Sequence, residues 1–143
     1  MDKRFWICGA VVSFAALVLT FVVHAFVLGG HYVELGAMYR DAADGARRFG
    51  WLLFAHALLG YAMTWVFARG FDTGRATPGQ GLRFGLAMAL FGPVPAIGLQ
   101  YAMQPVPGNL IVRQAVLAVV AMMLLGLLLA WLQPRRQALR EPQ

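Results

Sequence analysis

The chain is poor in the groups that most chemistry requires. It has one cysteine among 143 residues, Cys8, which excludes an internal disulfide and every paired-cysteine redox or metal motif. Cys8 sits in an apolar run and reads as a small packing residue. Acidic residues are scarce as well, six against twelve Lys and Arg, and charged residues make up only 13% of the chain. Ser13 is the only serine, so a nucleophile beside a base has little to draw on.

These shortages remove specific activities. Small four-helix multidrug exporters couple to protons through a carboxylate inside the membrane, whereas Glu34, Asp41, Asp44 and Asp72 all fall outside the long apolar runs. Quinone-linked thiol oxidases of similar size need cysteine pairs. Glutathione-transferase-like four-helix enzymes use an embedded Glu-Arg pair followed by Asn, and the only Asn here is Asn109, in a connecting segment. The expectation is a protein that is not an enzyme. The net charge of +6 does not point to nucleic acid, because the basic residues are spread among several short segments and form no stripe.

What the chain has in abundance is apolar length. It is 60% hydrophobic with a mean hydropathy of +0.65. A soluble protein this small keeps too much of its surface in water to hide such a composition. Crossing a hydrocarbon core of about 30 Å takes roughly 20 residues of helix. Four segments qualify, at residues 5–28, 51–68, 84–103 and 110–132, and none contains an acidic residue. The expected fold is therefore all-α: one transmembrane domain over residues 1–143, an integral membrane four-helix bundle. The first apolar run is longer than the core of a signal peptide and no clear cleavage site follows it, so it reads as a retained anchor.

Charge assigns the sides. The N-terminal residues, the connection around Arg69–Arg83 and the C-terminal tail carry eight basic residues; the other two connections carry Arg40, Arg47, Arg48 and Arg113, which is four. The excess of eight over four predicts both termini in the cytoplasm. Trp6, Trp65 and Trp131 then lie at inner ends, with Trp51 and Tyr101 near outer ends. Residues 31–48 form the one sizeable connection. Tyr32, Leu35, Met38 and Tyr39 recur there at helical spacing, which fits a short interfacial helix as well as an irregular polar loop.

Membrane helices gain little from apolar burial, so close approach through small residues matters more. Gly9, Ser13, Ala16, Thr20 and His24 lie on one face of the first span. His56, Gly60 and Thr64 do so on the second, and Gly81, Gly85, Gly92, Ala96 and Gln100 on the third. Pro93 and Pro95 predict a kinked third helix.

The polar groups share a depth. His24 and His56 each lie five residues inside the outer boundary, about 7 Å at 1.5 Å per residue. Gln100 and Tyr101 on the third span and Arg113 with Gln114 on the fourth fall in the same layer. An ionisable group inside a membrane is a default functional candidate. Three readings stay open: hydrogen bonds that lock the bundle, a site for a lipophilic ligand such as a quinone or lipid, and ligation of a haem or metal by His24 and His56. His31, Tyr39 and Arg40 are further candidates in the outer connection.

The run His24-Ala-Phe-Val-Leu, then Tyr32, Met38-Tyr39-Arg40 and Gly81-Leu-Arg-Phe-Gly resembles an uncharacterised family of small bacterial four-helix membrane proteins. The resemblance implies location in a bacterial inner membrane, with His24, Tyr39, Arg40 and Arg83 at family positions, and implies no activity. The preferred expectation is a small accessory or assembly subunit of a larger membrane complex, without a cofactor. Its partners would be the lipid bilayer and other membrane subunits or further copies of itself. The alternatives are a self-contained binder of a lipophilic ligand or haem, and third a homo-oligomeric transporter.

Overall fold

The computed structural model describes residues 3–36, 42–70 and 76–132. Every regular element among them is helical, and four helical runs are long and apolar enough to cross a membrane: Lys3–Val27, Phe49–Gly70, Pro78–Met103 and Gly108–Leu132. Helix is the form lipid demands of an open chain, because each backbone N–H and C=O must find its partner within the segment.

The first span is α1 (Lys3–Phe21) followed by a π-helical segment, Val22–Val27. Two short helices follow, α2 (Gly29–Glu34) and α3 (Ala42–Arg47). They flank residues 37–41, so the expected interfacial helix through Met38 and Tyr39 lies partly outside the described residues. The second span is α4 (Phe49–Gly70), the third is α5 (Pro78–Phe91) and α6 (Pro93–Met103), and the fourth is α7 (Gly108–Leu132).

The third span begins well before Phe84, where apolar character alone sets in. Its start is polar: Thr77 accepts from the Gln80 backbone N–H at 3.3 Å, and the Gln80 side chain accepts from the Thr77 N–H at 2.7 Å. With Pro78 in the first turn this is a complete capping box, which begins a helix without regard to hydropathy. The same span is divided at Gly92, whose φ of −114° and ψ of −85° leave the helical region. Pro93 and Pro95 lack backbone donors, so the ladder is thinned at the division.

Two antiparallel helix pairs make up the bundle, α1 with α4 and α5 with α7, and α1 against α7 joins them. Small residues set both contacts. A Cβ added to Gly85 would stand 2.6 Å from Met123 Cα, and one added to Gly126 would stand 2.9 Å from Gly85 Cα. Gly81 meets the Gly126 carbonyl in the same way. In the other pair a Cβ on Gly60 would stand 2.7 Å from Ser13 Cα, and Gly9 lies under the Tyr61 ring. The Ser13 hydroxyl donates to Gly9 O and the Thr64 hydroxyl to Gly60 O, each at 2.7 Å, so neither polar group is left unpaired in lipid. Gly92 takes no part in these contacts; it is exposed at the helix division.

The core formed by these pairs includes Val12, Ala16, Met63, Phe67, Ala89, Met122, Leu125 and Leu129. It is concentrated toward the end where α1 begins and α7 finishes, and there Arg4 Nη2 donates to Leu132 O at 2.8 Å. There Phe67 and Phe84 pack edge to face with centroids 5.1 Å apart, bridging α4 and α5. At the far end a small separate cluster of Leu28, Val106 and Leu110 closes the fold.

Gly85→Ala is expected to destabilise the bundle by about 1–3 kcal/mol, since its Cβ must displace backbone atoms of α7. Gly98→Ala, with nothing within 4 Å of its added Cβ, should be neutral or mildly stabilising. Thermal unfolding of the two variants in detergent checks the contrast; equal losses would show that close α5–α7 approach does not hold the fold.

Candidate functional site

Between the well-packed end and the far-end cluster the packing opens. A cavity of about 530 Å³, partly open to the outside, lies between α1 with its π-helical extension, α4, α6 and α7. Its walls are mainly apolar, with Leu19, Leu59, Ile97, Leu117 and Ala118 among them, and Thr20, His24, Gln100 and Gln114 supply the side-chain polarity. The cavity exists because α6 leaves the tight path of α5 at Gly92, and Gly92 and Pro93 themselves form part of its wall.

The π-helical segment places His24. A π-turn widens the helix by one residue, and such turns occur frequently at functional sites. The Leu28 N–H reaches back to Val23 O at 2.9 Å, and the chain turns at once into α2. This return lays the Tyr32 ring over that of His24, at 5.7 Å between centroids and 19° between planes. Tyr32 OH and His24 Nδ1 hydrogen-bond at 2.7 Å, and Gln114 Nε2 donates to the same Tyr32 oxygen at 2.9 Å. Beside this contact, an Arg113 N–H donates to His31 Nε2 at 2.8 Å. An arginine can only donate, so this imidazole is held with its hydrogen on Nδ1. Two neighbours on α2, His31 and Tyr32, thus clasp two neighbours on α7, Arg113 and Gln114.

His56 belongs to a different arrangement. It is 9% exposed, and both ring nitrogens are taken: Nδ1 donates to Leu52 O at 2.7 Å, and Nε2 pairs with the Thr20 hydroxyl at 2.8 Å. A backbone carbonyl only accepts, so Nδ1 carries the hydrogen, and Nε2 is taken by the Thr20 hydroxyl. This satisfied histidine ties α4 to α1. It offers no free nitrogen to a haem iron opposite His24, so the pair does not fit bis-histidine ligation. Among the described residues no group of three or more His, Cys, Asp or Glu is placed to hold a metal ion.

Gln114 is the unfinished member. The residue is 7% exposed, and its Oε1 is buried without a hydrogen-bond partner. An unpaired buried amide oxygen costs about 1–3 kcal/mol. His24 has one further polar ring atom, Nε2, with no partner among the described residues. Both residues line the cavity.

Of the other candidates, Gln100 lines the cavity and also donates from Nε2 to Gln104 Oε1 at 3.3 Å. Tyr101 is 53% exposed and lies outside the cavity wall, near Gly108. Arg113 is likewise outside the wall, on His31. Tyr39 and Arg40 lie outside the described residues. Tyr32 and Thr20 are the site groups that sequence reasoning misses. Tyr32 reads as part of a surface helix and Thr20 as part of a packing stripe; only the fold-back at the π-turn joins Tyr32 to His24.

No family model matches this chain, and neither a curated protein nor a solved structure matches it.

Tyr32→Phe combined with Gln114→Leu in a double-mutant cycle is expected to show a coupling of about 0.6 kcal/mol, and at most about 1.7, the range of hydrogen bonds between membrane helices. Tyr101→Phe should change stability by less than about 0.5 kcal/mol. Zero coupling in unfolding measurements would remove the clasp as a structural unit.

Proposed function

We propose that this chain is a non-enzymatic membrane protein that binds a lipophilic small molecule in its intramembrane cavity. The observation that carries the reading is the polar set on an otherwise apolar wall: Thr20, His24, Gln100 and Gln114 line a cavity of about 530 Å³. Apolar pockets with a few convergent polar groups are the usual form of small-molecule sites, and this volume lies within their range of about 300–1,000 Å³. A purely structural network would be expected to close on itself, as the His56–Thr20 pair does. The quinone and lipid classes remain the natural occupants. Haem does not, for want of a second free imidazole nitrogen.

We read the setting as a bacterial inner membrane, as the family resemblance implies, with both termini cytoplasmic on the balance of eight basic residues against four. The cavity then sits in the outer leaflet. Gly92 with Pro93 and Pro95 is read as a kink that holds the cavity open. An accessory role in a larger complex is the second class of function; the exposed apolar faces of α1 and α4 suit it, though lipid covers such faces equally well.

Native mass spectrometry of the full chain, extracted gently from its own membranes, tests the reading. The expected result is a small non-polypeptide mass bound one to one, and lost in Ala118→Trp, which fills the cavity. Additional polypeptide without small-molecule mass would make the chain an accessory subunit. Orientation has its own check in a Cys8→Ala background: Gln104→Cys should react with an impermeant thiol reagent added outside cells, and Thr77→Cys should not. The reverse pattern would invert the topology.

A further inference from the structure

We propose that the end of the bundle where α1 begins and α4 finishes binds the phosphate headgroup of an anionic glycerophospholipid, with Arg69 as its chief anchor. This site is separate from the cavity and does not depend on what fills it.

Charge gathers at this end without a balance. Lys3 and Arg4 open α1, Arg69 lies in the last turn of α4, and Arg83 lies near the start of α5; all four side chains are exposed. Phe67 and Phe84, with ring centroids 5.1 Å apart, tie α4 to α5 within two residues of Arg69 and Arg83. The described residues include two acidic ones, Glu34 and Asp44, and both lie on the short helices toward the other end. There Arg48 pairs with Asp44 at 3.3 Å, and Arg113 donates to His31. Among the described residues the first end thus has four cations and no anion. Such a field draws a partner of net negative charge.

Depth and geometry name that partner. Trp6, Trp65 and Trp131 are 54%, 46% and 79% exposed at this end, and exposed tryptophans settle at the level of lipid headgroups. Trp6 is two residues from Arg4 and Trp65 four from Arg69, so these cations stand near the height of the phosphates. The Arg69 guanidinium lies over the Trp65 ring, 3.7 Å from its centroid. Stacking engages the flat face and leaves the N–H donors, which project in the guanidinium plane, to meet oxygens. None of them has a hydrogen-bond partner among the described residues. A planar fork held this way can take two phosphate oxygens at once. A zwitterionic head brings the same phosphate with its own ammonium, which cancels the attraction of the cluster. A lipid of net negative charge keeps it.

The test uses the full chain in detergent micelles doped with equal amounts of dioleoyl phosphatidylglycerol and dioleoyl phosphatidylcholine. Bound lipid is counted by native mass spectrometry. Phosphatidylglycerol is expected in excess by about tenfold or more, and Arg69→Gln should lower the ratio about fivefold, the share of one cation at a membrane surface. Arg69→Lys keeps the charge and loses the flat stack, so its ratio should fall between the two. Arg47→Gln, which removes an exposed cation at the other end, should leave the ratio unchanged. So should Ala118→Trp, which fills the cavity. Equal binding of the two lipids to the unaltered protein would overturn the inference. A ratio that survives Arg69→Gln combined with Arg83→Gln would do the same, as would one lost just as fully in Arg47→Gln, which would reduce the effect to net charge. A ratio lost in Ala118→Trp would overturn it in favour of the cavity.

Discussion

In water, four helices this apolar would be driven together by burial alone. In lipid that force is absent, because acyl chains solvate leucine as well as another leucine does. What remains is dispersion at short range, and it is available only where side chains do not hold the backbones apart. The contact of Gly81 and Gly85 on α5 with Gly126 on α7 supplies such a place, and Gly60 against Ser13 supplies its counterpart between α1 and α4. Both lie away from the polar layer. The bundle is therefore close-packed where glycine allows it and free to be otherwise elsewhere.

The division at Gly92 converts that freedom into a cavity. Had the third span continued as one straight helix, the α5–α7 contact would carry on along its length and the space beside Ile97 and Gln100 would close. Prolines at 93 and 95 remove two donors from the ladder just beyond the last tight glycine contact. Closure at the far end falls instead to α2, whose His31 and Tyr32 hold Arg113 and Gln114, together with the Leu28, Val106 and Leu110 cluster. A hydrogen-bonded clasp suits this task. In a low-dielectric setting its partners find few alternatives, and an unmade bond there is costly.

Much of the frame was legible in the residue pattern. Span number and character follow from hydropathy because lipid imposes a length, and the buried glycines 9, 60, 81 and 85 lie on the faces that small-residue periodicity picks out. The start of the third span at Pro78 was hidden from hydropathy and visible only as capping chemistry. Within the site, His24, Gln100 and Gln114 share a wall, as equal depth suggests, yet Tyr101 and Arg113 share the depth and not the wall. Depth is one coordinate, and rotation about the helix axis is the other. The π-turn at Val22–Val27 changes that rotation for His24, and no periodicity drawn at 3.6 residues per turn anticipates it.

The two buried side-chain networks of this layer differ in one respect that separates structure from function. His56 reaches a carbonyl on its own helix and a hydroxyl on α1, and every polar atom of its ring is answered. Removing it would loosen a helix pair and nothing more specific. Gln114 is as deeply buried and answers Tyr32, but half of its amide is left over. If stability alone had shaped position 114, an apolar residue of similar size would serve without that deficit. Among the described residues the cavity beside it carries no charged side chain, so a neutral occupant suits the wall and an ion does not.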